Sequence, residues 1–263
     1  MSRLRPAIAP ALVLLALLGA WEAAAQWDVL ADALDIRDFL IPAPSDIATS
    51  LWEDRSLLAE NAWVTLKEVL LGFAIAAVVG VGFAFLVHLS ATARRAIYPL
   101  LIASQTIPIV AVAPILIVWF GFGIGPKLAI VALVCFFPIT VNTIDGLRSV
   151  DPDLLKMLRT LGAGRWQLLI RAEAPAALPY AFSGAKVAVA VAVIGAVFAE
   201  LAAGNEGLGA VIRSANAQLL TALMFAAIAV LSVIAIGLFA LLSLLERRLI
   251  PWNAPEGARR AAA

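Results

Sequence analysis

Reactive side chains are scarce in this chain, which holds one cysteine, Cys135, and one histidine, His88. A single cysteine excludes an intrachain disulfide and a cysteine-based metal cluster. His88 closes an apolar run, where a helix-end or interfacial place suits it better than catalysis. Metal chemistry and Ser-His-Asp chemistry therefore have almost no raw material, and no metal ligand or catalytic residue is assigned. Charge is scarce too, at 14% of residues against about 25% in an average soluble domain. The charges are sorted along the chain rather than balanced locally, and no nucleic-acid partner is expected. A phosphate loop of the form G-x-x-x-x-G-K-[ST] is also missing. Lys127 follows Pro126 and Lys186 follows Ala185, and neither has the glycine that a phosphate cradle requires. No cofactor is expected here, so ATP chemistry, if it matters, has to be supplied by another chain.

What the chain does hold is apolar surface, 63% hydrophobic residues with a mean hydropathy of +0.99. An all-α integral membrane protein is the class that such a composition fits. A crossing helix needs about 20 mostly apolar residues. Windows of that kind fall near 7–25, 66–89, 97–120, 127–145, 180–202 and 219–245, which predicts about six transmembrane helices. The third contains Pro108 and Pro114 beside Gln105, so it is expected to kink or to break into two short helices.

Basic residues set the orientation. With a cytoplasmic N-terminus, the inner segments hold Arg3, Arg5, Arg94, Arg95, Arg148, Lys156, Arg159, Arg165, Arg171, Arg247, Arg248, Arg259 and Arg260. The outer segments then hold only Arg37, Arg55, Lys127 and Arg213, which is a positive-inside pattern. Lys67 and Lys186 sit near span ends, where long side chains can reach the interface. The segments divide into an N-terminal anchor (1–25), an acidic periplasmic loop (26–61), a transmembrane domain (62–252) and a cytoplasmic tail (253–263). A cleavable signal peptide is the rival reading of residues 1–25, given Arg3, Arg5 and Ala23-Ala24-Ala25. Trp21 and Glu22 suit an uncleaved interfacial anchor instead.

Between two apolar runs lies a polar stretch from Asp145 to Glu173. Burying its Arg148, Lys156, Arg159, Arg165 and Arg171 at bilayer depth would cost ~12–18 kcal/mol, so it belongs in water. It still carries helix signals. Asp151 is a candidate N-cap, with Pro152 at the first helical position and Asp153 in the first turn. Leu154, Leu155, Leu158 and Leu161 then share one face, with Lys156, Arg159 and Thr160 elsewhere. Gly162 is placed for a left-handed helix terminus, and Gly164 loosens the turn that follows. A second short helix is predicted from Arg165 to Ala174, with Trp166, Leu169 and Ile170 apolar, until Pro175 stops it. An amphipathic loop on the membrane surface and a helix seated in a partner's groove would use the same stripe.

This stretch resembles the cytoplasmic signature loop of ABC-importer permeases, written E-A-A, three residues, G, nine residues, I-x-L-P. Aligned on Gly162, Pro175 falls at the family's proline. The similarity continues in S-Q-T-I-P-I-V-A-V-A-P-I-L-I-V-W-F-G-F-G (104–123), F-F-P-I (136–139), P-A-A-L-P (175–179) and E-x-x-x-G-N-E-G-L-G (200–209), over roughly residues 40–252. These segments look like the branch that serves nitrate, sulfonate, taurine and pyrimidine-type substrates. Lys156-Met157-Leu158 stands where the family has E-A-A, and Ala172-Glu173-Ala174 where it has I-x-L. The resemblance implies a type I importer fold and a coupling loop, 145–179, docked on a separate ATP-binding subunit. Leu154, Leu155, Leu158, Arg159, Leu161, Gly162, Arg165, Trp166 and Pro175 would make that contact. It also implies two ATPase copies, a periplasmic or lipid-anchored substrate-binding protein, and a homodimer of this chain in the bacterial inner membrane. A pyrimidine-type thiamine precursor is the favoured solute, with sulfonates next.

Polar groups inside spans are the candidates for a solute pathway: Gln105, Asn142, Ser183, Lys186 and Glu200. Hydrogen bonding between helices is the alternative at each. Gly72, Gly80, Gly82 and Gly184 are expected to permit close helix packing. An ion-coupled secondary transporter is the competing function, but it would usually need buried acids in a cluster and repeated halves.

Overall fold

The computed structural model describes residues 5–26, 41–104 and 106–253. Among them the secondary structure is helical throughout: α1 (Arg5–Gln26), α2 (Pro44–Glu53), α3 (Arg55–Leu89), α4 (Ala91–Ser104), α5 (Ile109–Phe120), α6 (Ile124–Leu147), α7 (Pro152–Thr160), α8 (Arg165–Leu168), α9 (Ala174–Ala203), α10 (Leu208–Ala217) and α11 (Thr221–Leu249). A π-helical turn, Leu169–Glu173, joins α8 to α9. Gln105, Arg3, Arg37, Arg259, Arg260 and most of the expected tail lie outside the described residues, as does much of the 26–61 loop.

Four helical stretches are long and apolar enough to cross a membrane: Arg55–Leu89, Ile124–Leu147, Arg165–Ala202 and Thr221–Leu249. Two shorter apolar helices, Leu12–Gln26 and Ala111–Phe120, accompany them. The helix α3 has 35 residues and so rises ~52 Å, well beyond a hydrocarbon core of ~30 Å. Its start at Arg55, rather than near 66, places its first turns outside that core.

The 97–120 window breaks in two, between Ser104 and Ile109. Pro108 has no N–H to continue a helical ladder. The carbonyls freed at the end of α4 find hydroxyl donors, with Ser104 Oγ 2.7 Å from Leu101 O and Thr106 Oγ1 2.8 Å from Ala103 O. Such local donors are what makes a broken helix tolerable in an apolar setting.

Two compact units emerge. One combines Met1–Val64 with Glu206–Ser232, the other Thr65–Asn205 with Val233–Ala263. In the first, Glu22 holds the N-terminus of α2, accepting from Ser45 N–H at 3.0 Å and from Ser45 Oγ at 2.7 Å. An anion there satisfies an orphan donor and complements the positive helix end. Asn61 Oδ1 accepts from the N–H of Gly207 at 2.7 Å, fixing the start of α10.

In the second unit α6 packs extensively along α9. Gly184 makes the approach possible, since a Cβ there would lie 2.5 Å from the Pro138 carbonyl oxygen. Gly72 does the same against Val131, where a Cβ would come within 2.6 Å. Gly82 departs from expectation, because nothing lies within 4 Å of a Cβ built on it. Ala84, Val87, Leu101, Ile144, Leu147, Leu169 and Ala177 form one buried apolar cluster that unites α3, α4, α6, the π turn and α9.

Candidate functional site

The 145–179 segment folds as capped helices. Asp151 Oδ1 accepts from the N–H of Asp153 at 2.8 Å, so it caps α7 as its sequence position predicts. At the other end Gly162 takes φ +88°. Its N–H donates to Arg159 O at 2.9 Å, and the N–H of Ala163 donates to Leu158 O at 3.0 Å. Those two bonds are the Schellman pattern, which returns two orphan carbonyls to partners. Gly164 then starts α8, with its N–H bonded to Gln167 Oε1 at 2.9 Å.

No residue of α7 is buried. Leu154 is 42% exposed and Leu161 75%, while Leu155 and Leu158 are half-buried. Arg159 and Gly162 are exposed, and Trp166 follows at 66% exposure. Leu154, Leu161 and Trp166 thus face outward from this segment, while Leu155 and Leu158 are partly covered among the described residues. Lys156 leaves that face to pair with Asp153 at 2.8 Å, in the open.

The second short helix does not end at Pro175. It passes from α8 through the π turn into α9 without a break, 38 residues from Arg165 to Ala202. The π turn explains how. Ala174 N–H reaches back five residues to Leu169 O instead of four. The wider turn displaces the hydrogen-bond register where Pro175 has no donor and its ring would crowd the preceding turn. Pro175 is left half-buried at the second position of α9, where a missing N–H costs little.

Two polar contacts tie this region to the end of α3. His88 Nε2 lies 3.0 Å from Glu173 Oε2, with both side chains mostly buried. The Arg165 guanidinium donates to the carbonyl oxygen of Leu89, one of the unpaired carbonyls at the α3 C-terminus.

The pathway candidates do not converge on one site. Asn142 is half-buried, and its Nδ2 donates to Pro138 O of its own helix at 2.7 Å. Ser183 is exposed on α9 near it. Glu200 lies 17 residues further along α9, about 26 Å away by helical rise. It is fully buried and accepts from Thr65 Oγ1 at 2.7 Å. Lys186 pairs with Glu246 at 2.6 Å, both partly buried. Lys127 corrects the reading. Expected in an outer aqueous segment, it is 7% exposed and pairs with Glu68 at 2.7 Å. Because α6 begins at Ile124, Lys127 stands in its first turn, facing α3 rather than solvent. Glu68 and Glu246 were not singled out from the sequence, though each is a charge within or beside an apolar run, and Glu173 entered only as the end of the polar stretch and in the I-x-L comparison.

A cavity of about 510 Å³ opens where the helix pair α4 and α5 is broken. Ser104, Pro108, Val112, Phe136, Phe137 and Val191 are among its lining residues. Among the described residues its lining carries no charged side chain.

Comparison with known proteins places these features. The family described as binding-protein-dependent transport system inner membrane component matches residues 72–251. The chain is 38% identical over 254 residues to the formylaminopyrimidine transport permease protein ThiX of Halalkalibacterium halodurans, covering 96% of this chain and 99% of that one. It is 40% identical over 218 residues to the riboflavin transport system permease protein RibX of Chloroflexus aurantiacus, covering 82% and 81%. Its fold is similar to a solved inward-facing form of the MetNI methionine ABC transporter, with TM-score 0.64 and 19% identity over 77% of this chain and 99% of that one.

Proposed function

The chain belongs to the family of binding-protein-dependent transport system inner membrane components, and from that premise we propose that it forms half of the pathway for an uncharged pyrimidine-type solute, coupled to its ATPase through residues 145–179. It is a multi-pass permease subunit of an ABC importer, working with an ATP-binding subunit and a substrate-binding protein. That membership decides against the ion-coupled alternative. In this reading the N-terminus is cytoplasmic, two copies related by a two-fold axis enclose the pathway, and two ATPase subunits drive them. A periplasmic or lipid-anchored protein delivers the solute.

The observation that carries the coupling assignment is α7 itself. A nine-residue helix with caps at both ends and no fully buried residue gains little from packing among the described residues. Its order is useful only if another surface receives the leucine face, as in helix-in-groove recognition. Leu154, Leu155, Leu158, Leu161 and Trp166 would fill the groove, with Arg159 at its rim. Gly162 orients the helix, and Arg165 and Pro175 belong to the joint behind it.

For the solute, support comes from the permeases of formylaminopyrimidine and riboflavin, both heteroaromatic compounds, and from the uncharged cavity. Its volume is in the range of small-molecule sites. An oxyanion there would lose its hydration without a cation to replace it. A flat neutral ring can lie on the Phe136 and Phe137 side chains instead. Asn142, Ser183 and Glu200 stay pathway candidates. Gln105 neighbours Ser104 in sequence and keeps its candidacy on that ground alone.

The test is co-purification. With its ATP-binding subunit co-expressed, the double variant Leu154→Asp/Leu161→Asp should insert normally yet retain at least ~10-fold less ATPase, as loss of two apolar anchors would produce. Full retention with normal uptake would sink the docking assignment. It would favour α7 lying on the lipid surface.

A further inference from the structure

Resting on the coupling assignment above, we infer that His88, Glu173 and Arg165 form a clasp that makes α3 and the coupling segment move as one body. The π turn already makes α8 continuous with α9, so a displacement of α7 and α8 reaches α9 along the backbone. Nothing in the covalent chain carries it to α3, which ends at Leu89, 76 residues before Arg165. The clasp supplies that second route.

Its geometry is suited to the task. Arg165, at the first position of α8, donates to the Leu89 carbonyl at the C-terminus of α3. A guanidinium there meets both an orphan carbonyl and the negative end of a 35-residue helix. Glu173, the last residue of the π turn, has its Oε2 3.0 Å from His88 Nε2. His88 is the residue next to Leu89, so the two contacts bracket one helix end. Between them in sequence, Leu168 and Leu169 are each 3% exposed. Leu169 belongs to the same apolar cluster as Ala84 and Val87 of α3. Polar bonds on both sides of a buried apolar patch resist sliding as well as separation. A single contact would leave the segment free to pivot. These are positioning residues; none needs to meet the solute or ATP.

Glu173 falls at the unspecified position of the family's I-x-L-P, and its carboxylate closes the joint from within the segment.

The experiment uses the full transporter in proteoliposomes, with its ATPase and binding protein. Glu173→Gln and His88→Phe should each leave ATP hydrolysis and ATPase co-purification near wild type, while Arg165→Met is compared per unit of ATPase that stays bound. Solute transported per ATP hydrolysed should fall roughly 5- to 10-fold, a typical span for the loss of one coupling contact. The exchanged pair His88→Glu/Glu173→His should recover most of that ratio, which a purely structural role of either residue alone would not predict. A second measurement covers variants that fold poorly. With His88→Cys/Glu173→Cys joined by a short bifunctional thiol reagent, uptake should persist, because the linked parts do not move relative to each other. Transport per ATP unchanged in all three single variants would overturn the clasp. So would uptake lost on cross-linking and regained on cleaving the linker. Failure of the coupling assignment looks different: there the Leu154→Asp/Leu161→Asp variant keeps its ATPase.

Discussion

Substitutions at Gly162 separate backbone geometry from side-chain contact, because only the backbone is constrained there. Its φ is +88°, and a Cβ at that position would meet nothing within 4 Å. Space is therefore no obstacle, and any effect comes from the left-handed conformation. That region costs an ordinary L-residue roughly 1–2 kcal/mol, and asparagine less, because its side chain bonds locally. Proline is worse, since its φ is held near −65° and it lacks the N–H that now donates to Arg159 O at 2.9 Å. The expected order of uptake is glycine, asparagine, alanine, valine, proline. A penalty of about 1 kcal/mol lowers the ratio of correctly aimed to misaimed α7 by about 5-fold. Proline, at ~3 kcal/mol or more, should abolish measurable uptake while leaving insertion intact. Reconstituted ATP-dependent uptake, normalised to permease in the membrane, gives the ranking. Asparagine is bulkier than alanine, so alanine outperforming asparagine would show that volume matters and φ does not. Normal uptake by the proline variant would refute the reasoning altogether.

The buried pair and the cavity give two more tests. Lys127→Met removes one partner of an ion pair whose side chains are 9% and 3% exposed, and breaking such a pair costs about 3–5 kcal/mol. The apparent melting temperature in detergent should drop on the order of 10 °C, and Glu68→Leu/Lys127→Met should recover much of it; a single variant melting with wild type refutes the pair's role. Val112→Lys places a cation against the cavity and should lower uptake of a labelled aminopyrimidine at least ~10-fold, the effect of an unpaired charge in an apolar site. Capture by the isolated binding protein should not change, and undiminished uptake would remove this cavity from the pathway.

Much of the helical plan was legible in the sequence. Apolar windows gave the long helices because a span must be apolar along its whole length, which is a local property. The break in 97–120 was legible for the same reason: Pro108 removes a donor wherever it stands. The caps of α7 followed from Asp151, Pro152 and Gly162, each acting within a few residues. What stayed hidden was long-range. Glu68 meets Lys127 across 59 residues, Lys186 meets Glu246 across 60, and His88 meets Glu173 across 85. One chain shows that such charges stand in apolar surroundings but not which of them pair. Pro175 misled for a different reason. As a helix breaker it predicted a stop, and only the register change of the π turn lets the helix continue through it.

Lys156 stands where the signature pattern that this loop resembles has an acid, and the structure gives that exchange a physical meaning. On α7 a lysine three residues after Asp153 forms a local pair at 2.8 Å, fully in solvent. Exposed pairs of this kind contribute ~0.2–1 kcal/mol at most, so the pair does little for stability. What it does is occupy the ammonium on the polar side of the helix, leaving the leucine face and Arg159 to define what a partner meets. The features that aim that face are backbone features: an aspartate cap, a proline at the first position and a glycine at φ +88°. None of them depends on the residue at 156. A docking helix can therefore keep its direction while the charge it offers changes sign. The groove that receives it should then differ at the matching position, with an acidic or neutral residue where a partner of the acid would need a base.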